Sequence, residues 1–154
     1  MNEYERNLLQ HIEQHGCSVT SVFDPDASDP PFSYSIGIAK SEGASEFIVV
    51  GLNSELGHSL INLCNSRARE GERFVSGVPY LGFLEGFPVQ FVPVAREHRQ
   101  AMMLSAFWLH GGPDFAALQL VWPSKTGAWP WDPEATDWLK ENQPVLSEAP
   151  GHAP

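Results

Sequence analysis

Glycine or proline interrupts this chain so often that no long element fits between the breaks. There are 13 of each in 154 residues, spread along the chain instead of gathered in one low-complexity run. Proline removes a backbone donor and glycine favours turns, so the chain is cut into short segments. Many short segments joined by turns point to a fold containing a sheet. Hydrophobic residues make up 42% of the sequence, which at this length suits one domain with a real core.

Residues 2–15 read as a helix. Tyr4, Leu8 and Ile12 recur at every fourth position, Asn2 and Glu5 have capping-box spacing, and Gly16 is placed to end it. Residues 18–23 suit a short strand, and 24–31 carry turn chemistry. Residues 32–38 alternate, with Phe32, Tyr34, Ile36 and Ile38 on one face and Ser33, Ser35 and Gly37 on the other. After a turn over 40–45, the run Phe47-Ile48-Val49-Val50 suits a strand covered on both faces, paired with 32–38 as a hairpin.

Asn53 or Ser54 caps a second helix that buries Leu56, Leu60, Leu63 and Cys64 and stops near Gly71. Arg67 and Arg69 favour the dipole of its last turn. Prolines 79, 88 and 93 predict edge strands or bulges over 74–94, with 89–94 the clearest strand. Residues 97–110 predict a third helix with Met102, Met103, Ala106, Phe107 and His110 on its apolar face. Residues 115–122 predict a last buried strand, and a helical patch follows near 134–141. The expected architecture is α+β: a mixed, largely antiparallel sheet of about six strands with three helices packed on it. The domain is expected over 1–143, with 144–154 a flexible tail.

The formal charge of −10, from 19 acidic and 9 basic residues, disfavours nucleic acid and anionic membranes as partners. A basic protein is the electrostatically favoured partner. Cys17 and Cys64 are too few and too far apart for a disulfide framework or a zinc ribbon. The start of the chain is charged, with no signal-peptide pattern, and no run nears the roughly 20 apolar residues that cross a bilayer. The expected location is the cytoplasm.

His11 and His15 have the i, i+4 spacing that can hold a metal from one helix face, but no third ligand is identifiable and exposed histidines explain them as well. Asp24, Asp26 and Asp29 crowd one loop without the EF-hand pattern and read as a solvated turn. Arg96, His98 and Arg99 form the one compact basic cluster, suited to an anion or to flanking a helix start. No nucleotide cradle or nucleophile elbow occurs, and no cofactor is expected. The stretch 122–133 carries Trp122, Trp129 and Trp131 among prolines. That composition suits a binding hot spot, or a loop folded back as a lid on its own core.

Several of these motifs occur together and in order: His15-Gly16-Cys17, then Pro30-Pro31-Phe32-Ser33-Tyr34-Ser35-Ile36-Gly37-Ile38, then Glu46 through Gly51-Leu52. Gln119-Leu120-Val121-Trp122-Pro123 and Pro130-Trp131-Asp132-Pro133 complete the set. The combination resembles the bacterial domain-of-unknown-function family numbered 4262, from about residue 8 to 133. Cys17 and Ser45 depart from its commoner residues. The resemblance implies a fold and a bacterial origin and brings no activity with it. Polar groups that interrupt the apolar strands mark the candidate binding site: His15, Tyr34, Glu46, Gln119, Trp122, Trp129 and Trp131. Glu46 opens an apolar strand and needs a partner if buried, which His15 could supply.

Three functions fit these features. The leading one is a non-catalytic protein-binding module, of inhibitor or immunity type, whose partner is basic. The alternative is an enzyme or a small-ligand or cofactor-binding protein with a pocket near Tyr34, Glu46 and the Trp-rich loop. A structural or self-associating module is the third; strand order and oligomeric state are not derivable from sequence.

Overall fold

A computed structural model describes residues 1–26 and 28–147. In chain order the described elements are α1 (Glu3–His15), β1 (Ser18–Val22), β2 (Phe32–Ile36), α2 (Ile38–Glu42), β3 (Glu46–Val50), α3 (Ser54–Arg69), β4 (Tyr80–Leu84), β5 (Phe87–Pro93), α4 (Arg96–Met102), α5 (Leu104–His110), β6 (Ala117–Val121) and α6 (Asp137–Asn142). The strands form one sheet in the order β1-β2-β3-β6-β5-β4. Neighbours are antiparallel except β3 and β6, which run parallel because the chain crosses back between them. The mixed, largely antiparallel α+β class expected from the sequence is the one that forms.

The described helices number six, not three. One addition, α2, takes the place of the end of the strand expected over 32–38 and the first part of the turn expected over 40–45, so that β2 stops at Ile36; α6 is the helical patch expected near 134–141. The third predicted helix divides at Met103, whose backbone leaves helical geometry (φ −96°, ψ 59°) as its side chain enters the core. The break leaves the Ser105 N–H in the first turn of α5, where it donates to the Tyr34 hydroxyl at 3.0 Å.

Alternation within β3 builds two cores. Phe47 and Val49 face α3, with Leu60, Ile61, Cys64, Phe91 and Leu120. Ile48 and Val50 face the other way, with Leu8 of α1 and Met103 and Ala106 on the α4–α5 side. A strand covered on both faces reads as an unbroken apolar run, which is the pattern of 47–50. The capping box on α1 forms: Asn2 accepts from the Glu5 N–H and Glu5 from the Asn2 N–H. On α3, Gly57 lies so close to β2 that a Cβ would run into Ser33 Oγ.

Two proline expectations need correction. Pro88 and Pro93 do not hold β5 at an edge; they stand near its ends, so that 89–92 pair inside the sheet between β4 and β6. Only β4 is an edge in this half, and its register with β5 shifts between Tyr80 and Leu84. The chain also stays on the domain past residue 143. Gln119 donates through Nε2 to Pro144 O and accepts from the Leu146 N–H, while Ala95 N–H donates to Leu146 O. Leu146 and Ser147 are buried as a result. The remainder of the expected tail, 148–154, lies outside the described residues.

Candidate functional site

Strands β2 and β3 pair as far as Tyr34 and Ile48 and then part. Beyond that point the Ser35 hydroxyl replaces a carbonyl as the acceptor for Phe47 N–H, at 2.9 Å, and donates to Glu46 Oε1 at 2.6 Å. Gly37, at φ +114°, turns the chain so that its own N–H and that of Ile38 reach the same carboxylate at 2.8 and 3.1 Å. The fourth contact is His110 Nε2, at 2.8 Å, from the last turn of α5. Glu46 is wholly buried, and these four contacts occupy both its oxygens.

His110, not His15, is therefore the partner of Glu46. Its ring is stacked on Phe115, with centroids 4.8 Å apart. The residue types Ser35, Glu46 and His110 are those of a nucleophilic triad, but the order of contacts is wrong for one. The hydroxyl donates to the carboxylate, whereas a nucleophile must give its proton to the imidazole. Glu46 joins the end of β2, the start of α2 and the end of α5.

The remaining predicted residues are engaged in the same manner. Tyr34 is buried beneath α5, and burial raises its phenol above the usual value against the opposing bond from Ser105. Gln119 pins 144–146, as described. Trp122 donates from Nε1 to Val50 O at 2.9 Å, and its backbone N–H and C=O exchange two bonds with the buried Gln143 amide. Trp129 and Trp131 stack nearly parallel, 5.8 Å apart and half-buried. Ala128 and Pro130 beside them are buried.

His15 leads to a different place. A cleft of about 470 Å³ opens between α1, the start of β1 and α3. His11 and His15 line it from α1, Cys17, Ser18 and Val19 from the chain entering β1, and His58, Asn62, Asn65 and Ser66 from α3. The rings of His11 and His15 meet edge to face at 5.3 Å. Asn65 is 8% exposed and donates from Nδ2 to His15 O at 3.2 Å, while its buried Oδ1 has no partner among the described residues. Since its neighbour there is a carbonyl, the amide cannot be turned over without opposing two oxygens, so Oδ1 is fixed as the orphan. Among the described residues no three His, Cys, Asp or Glu side chains converge to hold a metal.

Sequence reasoning missed Asn65 and the pairing of His110. Both carried a signal: Asn65 follows Ile61 by one helical turn and adjoins Cys64 on the apolar side of α3, and His110 ends an apolar helix face.

Both thiols are buried. Burial, reinforced by the Glu46 charge and opposed by Arg69, pushes the Cys17 thiol up to about 12, and burial raises Cys64 as well. From about pH 9 to about 12 the unfolded chain releases the Cys17 proton while the fold retains it, so stability falls as pH rises through that window. Below it both states are protonated and the contribution is whole. Each such thiol should contribute a slope of about 1.4 kcal/mol per pH unit. Urea unfolding at alkaline pH checks this: Cys17→Ala should show a shallower loss, and an unchanged slope would refute the assignment.

The model of a family described as Domain of unknown function (DUF4262) matches residues 11–136. The chain belongs to that family. The matched span holds the Glu46–His110 junction, the tryptophan loop and every residue lining the histidine cleft. No curated protein and no solved structure matches the chain. Among the described residues no helix is long and apolar enough to cross a membrane.

Proposed function

We propose that this DUF4262 protein is a small-ligand-binding protein whose ligand occupies the cleft between α1 and α3. One observation carries the reading: a cleft of about 470 Å³ lined by three histidines, two asparagines and two serines. Tyr34, Glu46, Gln119 and Trp122 are bonded to the protein's own groups, which moves the pocket away from the place expected for it. His15 is the predicted residue that remains at the site.

A thermal-shift screen of polar small molecules tests the reading. A ligand at tenfold its Kd should stabilise the fold by about 1.4 kcal/mol, raising Tm by about 3–6 °C. Ser66→Trp fills the cleft from an exposed position on α3 and should abolish the shift. Hits that survive Ser66→Trp would place the ligand elsewhere.

A second reading, the basic protein partner, has its own support. The chain carries a charge of −10. Leu104 and Trp108, one turn apart on α5, are exposed, and Tyr4 joins that side through a 2.7 Å contact with Ser105. Association with such a partner should slow steeply as salt is raised, and a salt-insensitive partner would count against it.

A further inference from the structure

The floor of the cleft is a sheet edge with unpaired backbone groups. β1 ends the sheet and pairs on one side alone, with β2. The side on which each of its residues bonds follows from the register of the next pair. Gly51 N–H donates to Pro31 O at 2.7 Å, which makes these two a hydrogen-bonded pair and Ser33 with Val49 the next. Phe32, Tyr34 and Ile36 therefore turn their N–H and C=O towards β1, where they meet Val22, Thr20 and Ser18. Val19 and Ser21, the alternate residues, direct theirs away from the sheet. Among the described residues no backbone group outside the sheet bonds to either.

β1 carries none of the lysines, prolines or bulges that commonly blunt an open edge. α1 and α3 stand on opposite faces of the sheet, and the cleft opens between them with Val19 in its lining. His11 and His15 border it on one side, and His58, Asn62 and Ser66 on the other. Donors and acceptors alternating at strand spacing match one ligand chemistry, another extended backbone. A second copy of the chain does not fit. Its own β1 lies between the same two helices, which would meet before the edges closed to the about 4.8 Å of paired strands. A slim peptide fits, and polar side chains on it suit both walls.

We infer that the cleft binds a short extended peptide of about four polar residues, which adds to β1 as a further strand through the backbone of Val19 and Ser21. This rests on the cleft being the ligand site and names the class of ligand.

The probe is acetyl-Thr-Ser-Thr-Ser-amide, titrated into the intact protein beside its analogue N-methylated at all four residues. The analogue keeps the side chains and loses their backbone donors. NMR reads amide exchange at Val19, Thr20 and Ser21, and binding at the rings of His11, His15 and His58. With the probe at ten times its Kd, exchange at Val19 and Ser21 should slow about tenfold. Thr20, already bonded to β2, should not change, and the analogue should alter none of them. Val19→Pro removes one outward donor without entering the β1–β2 ladder, and should weaken the probe roughly tenfold. If that variant does not fold, the two peptides on the wild-type protein still decide. Histidine shifts with unchanged exchange at Val19 and Ser21, or equal binding of the analogue, would overturn strand addition and leave the cleft as the site. Protection of both amides that grows with protein concentration alone would overturn it in favour of a second copy. Silence from the probe would overturn the peptide, and the thermal-shift screen with Ser66→Trp then decides separately whether the cleft holds a ligand.

Discussion

Glu46→Gln should destabilise the protein by about 3 kcal/mol, although it changes neither the volume nor the shape of the side chain. Both carboxylate oxygens receive two contacts, and three of the four come from groups that donate: the Gly37 and Ile38 N–H and the Ser35 hydroxyl. A glutamine offers one oxygen and one NH₂. Whichever way it turns, its NH₂ meets a backbone N–H, from Gly37 or from Ile38, and a buried donor is left opposing a donor. His110 can relieve the conflict on its own side by accepting at Nε2, but Gly37 cannot. The urea midpoint should fall with little change in slope, as expected when the folded surface is kept. A loss below about 1 kcal/mol would mean that the carboxylate is not what holds β2, α2 and α5 together.

Phe91→Ala should cost about 3–5 kcal/mol. Phe91 is fully buried in β5, and the rings of Phe47, Phe74, Tyr80 and Phe83 surround it at centroid distances of 4.4 to 5.7 Å. Phe74 lies between elements, so the cavity left by Phe91 removes the face against which the 70–79 segment packs. Arg67 ties that segment from the other side: its guanidinium grips Glu72 with two bonds, donates to Leu81 O at 2.8 Å and lies 4.4 Å from the Phe83 ring centroid. Amide exchange should therefore accelerate first in β4 and the 70–79 segment. Loss spread evenly over the sheet would contradict this division.

How far the sequence could be read followed the range of the interactions involved. The alternation over 32–36, Leu8 and Ile12 on the α1 stripe and the caps at Asn2 and Asn53 are local and formed where expected, whereas Gly37 and Ile38, read as the end of the same strand, turn into α2, and Tyr4 is exposed. The break at Met103 goes with a bond from the Ser105 N–H to the Tyr34 hydroxyl across 71 residues, which no helical periodicity records. The parallel pairing of β3 with β6 depends likewise on a crossover through residues 51–116. The site divided along the same line. That Glu46 would need a partner was legible from a carboxylate in an apolar strand. Which histidine met it was not, because His110 is 64 residues away and His15 is closer in sequence. The tryptophan loop left two readings open, and the contact of its first tryptophan, Trp122 Nε1 to Val50 O, spans 72 residues that no local pattern records. Of the seven candidate residues, His15 led to the cleft, through its helix neighbour His11 and a carbonyl held by Asn65.

The central claim is that the cleft holds a small polar molecule, and native mass spectrometry of untagged protein drawn gently from the cells that make it tests that most directly. The account requires an excess over the denatured mass, from a molecule small enough for about 470 Å³, that is absent when Ser66→Trp is prepared in the same way. The bare mass of the chain, whether alone or with a second polypeptide, would contradict it.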